Sequence, residues 1–156
     1  MKEGSIMANV KIIFATITGN NEEIADVISE SLENKNLTVD VEEISQADAF
    51  DLENFDAVVV CPYTYDGGSL PEEGLDFFDD LEEVDLTGKF YAVAGSGDEF
   101  YGDDFCVAVD KFDAQLAKSG ATKATENIKI NFAPDTTEDI DNLDRLAADL
   151  SQKLGF

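Results

Sequence analysis

Three nearly continuous apolar runs, separated by amphipathic stretches, constrain this chain most. Val10 to Ala15 is apolar apart from Lys11, and Ala57 to Cys61 and Phe90 to Gly95 are apolar throughout. Runs of this length suit parallel strands covered on both faces. Two other segments alternate instead: Leu37, Val39 and Val41 with Thr38, Asp40 and Glu42, and Ile128, Ile130 and Phe132 with Lys129 and Asn131. Alternation leaves one face wetter and predicts edge strands. Between them fall helical stripes: Ile24, Val27, Ile28 and Leu32; Phe105, Val109, Phe112 and Leu116; Ile140, Leu143, Leu146, Ala147 and Leu150. A short helix is predicted over Glu72 to Leu81, and Gly120 is read as a helix stop. The pattern is β-α repeated five times, with right-handed crossovers. With the second and fifth strands at the edges, the expected fold is an α/β three-layer sandwich. Its five-stranded parallel sheet has the order 2-1-3-4-5, and ligands are expected at the carboxyl ends of the strands.

A chain of 156 residues, 44% of them hydrophobic, fits one domain over 8–156. Residues 1–7 precede that pattern and read as an N-terminal extension or an expression remnant. They contain no apolar signal region, and no run approaches a membrane span. Cys61 and Cys106 sit in apolar contexts without metal-like spacing, so two reduced, buried thiols in a cytoplasmic protein are expected. There is no histidine, which excludes His-based acid–base catalysis and His-ligated metals. The net charge of −25 repels nucleic acid and anionic membranes. It attracts proteins with basic faces, and solubility alone would also account for it.

Three loops follow the central strands. Ala15 to Asn21 reads ATITGNN and opens the first helix. Thr16, Thr18, Asn20 and Asn21 offer neutral donors, Gly19 admits close approach, and a helix N-terminus adds a positive dipole end. The loop is neither a P-loop nor a GxGxxG turn. Plain helix capping, with Glu23 completing a capping box from Asn20, is the competing reading. Pro62 to Pro71 reads PYTYDGGSLP, a tight turn at Asp66, Gly67 and Gly68 flanked by Tyr63 and Tyr65. Gly95 to Phe105 reads GSGDEFYGDDF, with Tyr101 among Asp98, Glu99, Asp103 and Asp104. A receiver-type acidic metal pocket would need carboxylates after the first strand, where Phe14, Ala15 and Thr16 stand. A phosphate cradle beside two aromatic-bearing loops describes a site for a mononucleotide with a large flat ring.

These loops resemble, in order and spacing, those of the flavodoxin family of short-chain type, for which the 2-1-3-4-5 sheet is itself a standard example. The resemblance covers Ala8 to Phe156, with no long insertion in the fifth strand. It implies a flavodoxin-like fold and non-covalently bound FMN. By resemblance, Thr16, Ile17, Thr18, Gly19, Asn20 and Asn21 would hold the phosphate. Thr64, Tyr65, Asp66 and Gly67 would contact one side of the ring, and Gly97, Asp98 and Tyr101 the other. Asn21 stands where threonine is usual, and Tyr65 where tryptophan is frequent. The Asp66–Gly67 peptide is the one expected to meet flavin N5. The resemblance implies a monomeric, low-potential, single-electron carrier rather than an enzyme, with reductases and oxidoreductases bearing basic faces as partners. No catalytic residue and no metal are expected. The rival readings are an FMN-dependent quinone reductase on the same fold and a non-flavin, receiver-like signalling domain. A phosphatase is excluded because neither cysteine precedes the arginine it would need.

Overall fold

The computed structural model describes residues 8–15, 19–63, 74–97 and 106–155. In order, the elements are β1 (Asn9–Phe14), α1 (Asn20–Glu33), β2 (Thr38–Glu43), β3 (Ala57–Cys61), α2 (Leu75–Asp80), β4 (Phe90–Gly97), α3 (Val107–Lys118), β5 (Thr122–Lys123), β6 (Ile128–Asn131) and α4 (Thr137–Lys153). Every pairing is parallel, in the order β2-β1-β3-β4-β5, and β6 also lies against β4. This is the expected order, with the alternating segments at the two edges.

The continuous runs are central because each feeds two cores. Val10, Ile12, Val59 and Ala92 face α1 and α4, where Ile24, Ile28, Leu143, Leu146 and Leu150 meet them. Ile13, Val58, Val60 and Val93 face the other way, onto Phe77, Leu81, Phe112 and Leu116. Each fully buried aliphatic or aromatic side chain contributes roughly 1.5–3 kcal/mol. A strand that buries both faces therefore cannot slip register without exposing one of them.

Three local expectations change. The fifth strand is in two pieces. Tyr91 faces Lys123 while Ala94 faces Ile128, so the outer strand spends more residues than β4 over the same stretch and bulges at 124–127. No long insertion splits it, in keeping with the short-chain type. Phe132, read as an inward apolar position of that strand, lies just beyond it, 54% exposed with φ +61°. Its amide still donates to Gly97 O at 2.9 Å, but the left-handed turn swings the ring out of the core. The helix predicted over Glu72 to Leu81 is α-helical only over Leu75–Asp80 and tightens into a 3₁₀ turn at Leu81–Glu83; residues 72–73 lie outside the described residues. Gly120 does end α3, its amide donating to Ala117 O at 3.0 Å.

Lys11, the one charge in the first run, is 3% exposed. Its Nζ lies 2.7 Å from both Asp40 and Glu42 of β2 and 5.4 Å from the centre of the Phe55 ring. Burial alone would lower its pKa; the two carboxylates outweigh that and raise it above the ordinary lysine value.

Candidate functional site

The carboxyl ends of β1, β3 and β4 lie side by side and launch the three loops singled out in the sequence. The Ala15 amide donates to Cys61 O at 3.0 Å, carrying the β1–β3 pairing to the edge of the first loop. Tyr63, half-buried, forms an isolated parallel bridge with Ser96 and joins the start of the second loop to β4. β4 itself runs two residues beyond the predicted Gly95 and ends on Gly97, where the third loop begins.

The first loop enters α1 through Gly19, whose φ of +93° strongly favours glycine. Gly19 is the N-cap, and among the described residues no side chain caps the helix. The capping box expected between Asn20 and Glu23 is not formed, because the helix already begins at Asn20 and Glu23 falls one position too far along. α4, packed on the same face of the sheet, differs. Its N-cap Thr136 accepts a hydrogen bond from the Asp139 amide at 3.0 Å. An uncapped first turn has backbone N–H groups with no intrahelical acceptor, together with the positive end of a 14-residue helix. That combination suits an anion.

Asn20 is half-buried, and Asn21 is fully buried. Asn21 does not direct its side chain at a ligand, as the sequence reading expected. Its Nδ2 donates to Ala15 O at 2.8 Å, and its Oδ1 accepts from the Ser96 amide at 3.0 Å. The side chain is taken up by hydrogen bonds to two backbone groups. Sequence spacing identified the residue but could not show which way it turns.

Gly97 is buried under the start of α3, and a Cβ there would lie 3.0 Å from both the amide nitrogen and Sγ of Cys106. A side chain at Gly97 would push the strand end and the helix start apart by a few tenths of an ångström. Cys106, in a left-handed conformation at φ +54°, closes the third loop. Its buried thiol lies 3.6 Å from Gly95 O and 3.7 Å from Ile130 O. Cys61 is also buried, and burial pushes its thiol well above the usual range. Both cysteines are free, as expected.

Ser96 was missed by the sequence reading. It follows Ala92 and Ala94 on the face that α1 covers, and its buried Oγ has no hydrogen-bond partner among the described residues. A lone serine between glycines carries no sequence signal for this. An uncapped helix start and an unpartnered buried hydroxyl at the same sheet end fit a polar ligand group there. Thr16, Ile17, Thr18, Thr64, Tyr65, Asp66, Gly67, Asp98 and Tyr101 lie outside the described residues.

Elsewhere, a groove of about 830 Å³ runs between α1 and α4, lined by Asp26, Glu30, Asp144 and Arg145 among others. It is an open surface feature between two helices. Among the described residues no group of three or more His, Cys, Asp or Glu could hold a metal ion. No described helix is long and apolar enough to cross a membrane.

The flavodoxin family model matches residues 12–143, from within β1 to the first part of α4. The chain belongs to the flavodoxin family. Probable flavodoxin 1 of Bacillus subtilis is 39% identical over 136 residues, covering 87% of this chain and 85% of that protein. The flavodoxin of Maridesulfovibrio salexigens is 33% identical over 135 residues, covering 85% and 92%. Among solved structures, a short-chain flavodoxin associated with a PDU bacterial microcompartment is similar, at 50% identity and a TM-score of 0.92, covering 94% of this chain and 99% of that one. The flavodoxin of Streptococcus pneumonia TIGR4 matches at 45% identity and a TM-score of 0.90, with the same coverage. The flavodoxin family comprises flavin-binding electron-transfer proteins, and that general role extends to this chain.

Proposed function

We propose that this chain is a low-potential, single-electron carrier that holds one FMN without covalent attachment and serves cytoplasmic redox enzymes as a monomer. The observation that supports this best is the uncapped N-terminus of α1 at the ends of β1 and β4. It is a site for a terminal phosphate made from neutral donors. FMN, when bound, supplies the one-electron chemistry. The protein binds and tunes it.

Thr16, Thr18 and Asn20 would donate to the phosphate from side chains, and Ile17, Gly19 and Asn21 from the main chain. Thr64, Tyr65, Asp66 and Gly67 would cover one face of the ring, and Gly97, Asp98 and Tyr101 the other. Ring burial excludes water and adds aromatic stacking of ~0.5–1.5 kcal/mol beyond area burial. The second and third loops carry Asp66, Asp98, Glu99, Asp103 and Asp104, which would bring negative charge to the site. That charge disfavours full reduction and favours encounter with basic partner faces.

The deciding experiment is steady-state turnover by the purified, FMN-loaded protein with NAD(P)H and a quinone. A carrier shows negligible turnover until a reductase is added. Sustained NAD(P)H-driven quinone reduction by the protein alone would make it an enzyme on the same fold.

A further inference from the structure

Two of the three loops that launch from the sheet are tied together by one side chain. Asn21 belongs to the first turn of α1, and its amide group reaches Ala15 O at the end of β1 on one side and Ser96 N in β4 on the other. β1 and β4 are not neighbours; β3 lies between them in the sheet. The β3–β4 ladder runs to Val60–Val93, and the isolated Tyr63–Ser96 bridge continues the pairing beyond it. Asn21 and Ser96 are 75 residues apart in the chain, and both are fully buried. The link is therefore shielded from solvent, and each end satisfies a backbone group. Ala15 opens the first loop, and Ser96 adjoins Gly97, where β4 ends and the third loop begins.

We infer that Asn21 is a positioning residue that sets the first loop against the third, so that the phosphate half and the ring half of the cofactor site are built as one unit. The inference rests on the FMN reading above. A threonine would have to donate and accept through one oxygen on a shorter side chain. Asparagine has a donor and an acceptor on opposite corners of one rigid plane. A side chain that only donated to phosphate would leave ring binding untouched. A brace affects both halves, because the ring-side strand end is held through it.

The test compares wild type, Asn21→Ala and Asn21→Thr as apoproteins, titrated with FMN and with riboflavin, which lacks the phosphate. Both variants are first checked for native far-UV circular dichroism at the titration temperature; Asn21→Thr carries the test if Asn21→Ala does not fold. Losing two buried hydrogen bonds predicts about a tenfold weaker Kd for riboflavin as well as for FMN in Asn21→Ala. In Asn21→Thr riboflavin weakens, while FMN weakens less because the new hydroxyl can donate to phosphate. Hydrogen exchange gives a readout without cofactor: the Ser96 amide exchanges faster in both variants. A loss confined to FMN would make Asn21 a direct phosphate donor and overturn the inference. A lower melting temperature with both Kd values unchanged would overturn it too, leaving a purely structural bond. Wild type that binds no flavin would refute the FMN reading instead, and faster Ser96 exchange would then still report the brace.

Discussion

The amino and carboxyl ends of this sheet treat polar groups in opposite ways. At the amino end they are spent on one another. Lys11 is buried between Asp40 and Glu42, and Tyr91 donates to Asp113, which also accepts from Lys123 and Asn127 at 2.9 Å each. Those clusters stitch β1 to β2 and β4 to α3 and the outer strand. At the carboxyl end, α1 has no side-chain cap and Ser96 Oγ has no partner among the described residues. Asn21, committed there on both sides, serves backbone. The difference separates tasks: polarity at the amino end stabilises the fold, and polarity at the carboxyl end is left available for a ligand.

Substitutions at the two ends should therefore move different observables. The largest effect is expected for Lys11→Met, which keeps the stem but leaves Asp40 and Glu42 without their cation. Asp40 is 58% exposed and retains water, so the loss should be about 2 kcal/mol rather than the larger cost of a fully buried pair. Urea unfolding of the apoprotein measures it, and FMN affinity should not change. Tyr101→Ala should do the reverse, weakening FMN at least about tenfold through lost stacking and burial, with apoprotein stability unaltered. A shared loss in either variant would blur the division.

Tyr91→Phe is next, at about 1 kcal/mol. Burial alone would raise the Asp113 pKa, but hydrogen bonds from Tyr91, Lys123 and Asn127 outweigh it and hold the carboxyl below its ordinary 3.8. A depressed carboxylate contributes stability above its unfolded pKa and loses it as pH falls through the folded value. The wild type should thus lose stability below about pH 4 by this route, and Tyr91→Phe should lose less. The Tyr91 phenol is pushed up, mainly by burial and then by Asp113. Its contribution is complete below pH 10 and fades as pH rises beyond it. Acid and base unfolding curves of the two proteins check both limbs.

The smallest effect concerns the acidic third loop. A carboxylate ~10 Å from a developing negative charge, at an effective dielectric of ~40–80, costs roughly 0.4–0.8 kcal/mol. With ~59 mV per 1.4 kcal/mol for one electron, changing Asp98, Glu99 and Asp103 to their amides should raise the lower one-electron potential by tens of millivolts. The upper potential should move less, and the shift should shrink at high salt. Equal movement of both potentials would assign the low value to stacking and hydrogen bonding instead.

What was legible in the sequence follows from how many residues carry each signal. Val58, Val59 and Val60 announce a strand buried on both faces because each points into a core. The edge positions of β2 and β6 were legible from alternation for the same reason. Features that depend on one side chain's direction were not. Lys11 looks like an interruption until Asp40 and Glu42 arrive from another strand. Asn21 sits at a phosphate-motif position yet turns inward, and nothing in the spacing distinguishes the two orientations. Phe132 keeps the apolar beat of its strand but follows a left-handed turn that breaks the alternation. The capping box failed by one residue, since the pattern does not reveal that Gly19, rather than Asn20, is the N-cap.

The central claim is that the carboxyl end holds a mononucleotide flavin by its phosphate as well as its ring. Fluorescence titration of the apoprotein with FMN, riboflavin and FAD tests it most directly. One FMN should bind per chain, more tightly than riboflavin, with FAD excluded or far weaker. Equal affinity for FMN and riboflavin would contradict the phosphate role of the α1 terminus, and binding of FAD alone or of no flavin would contradict the site itself.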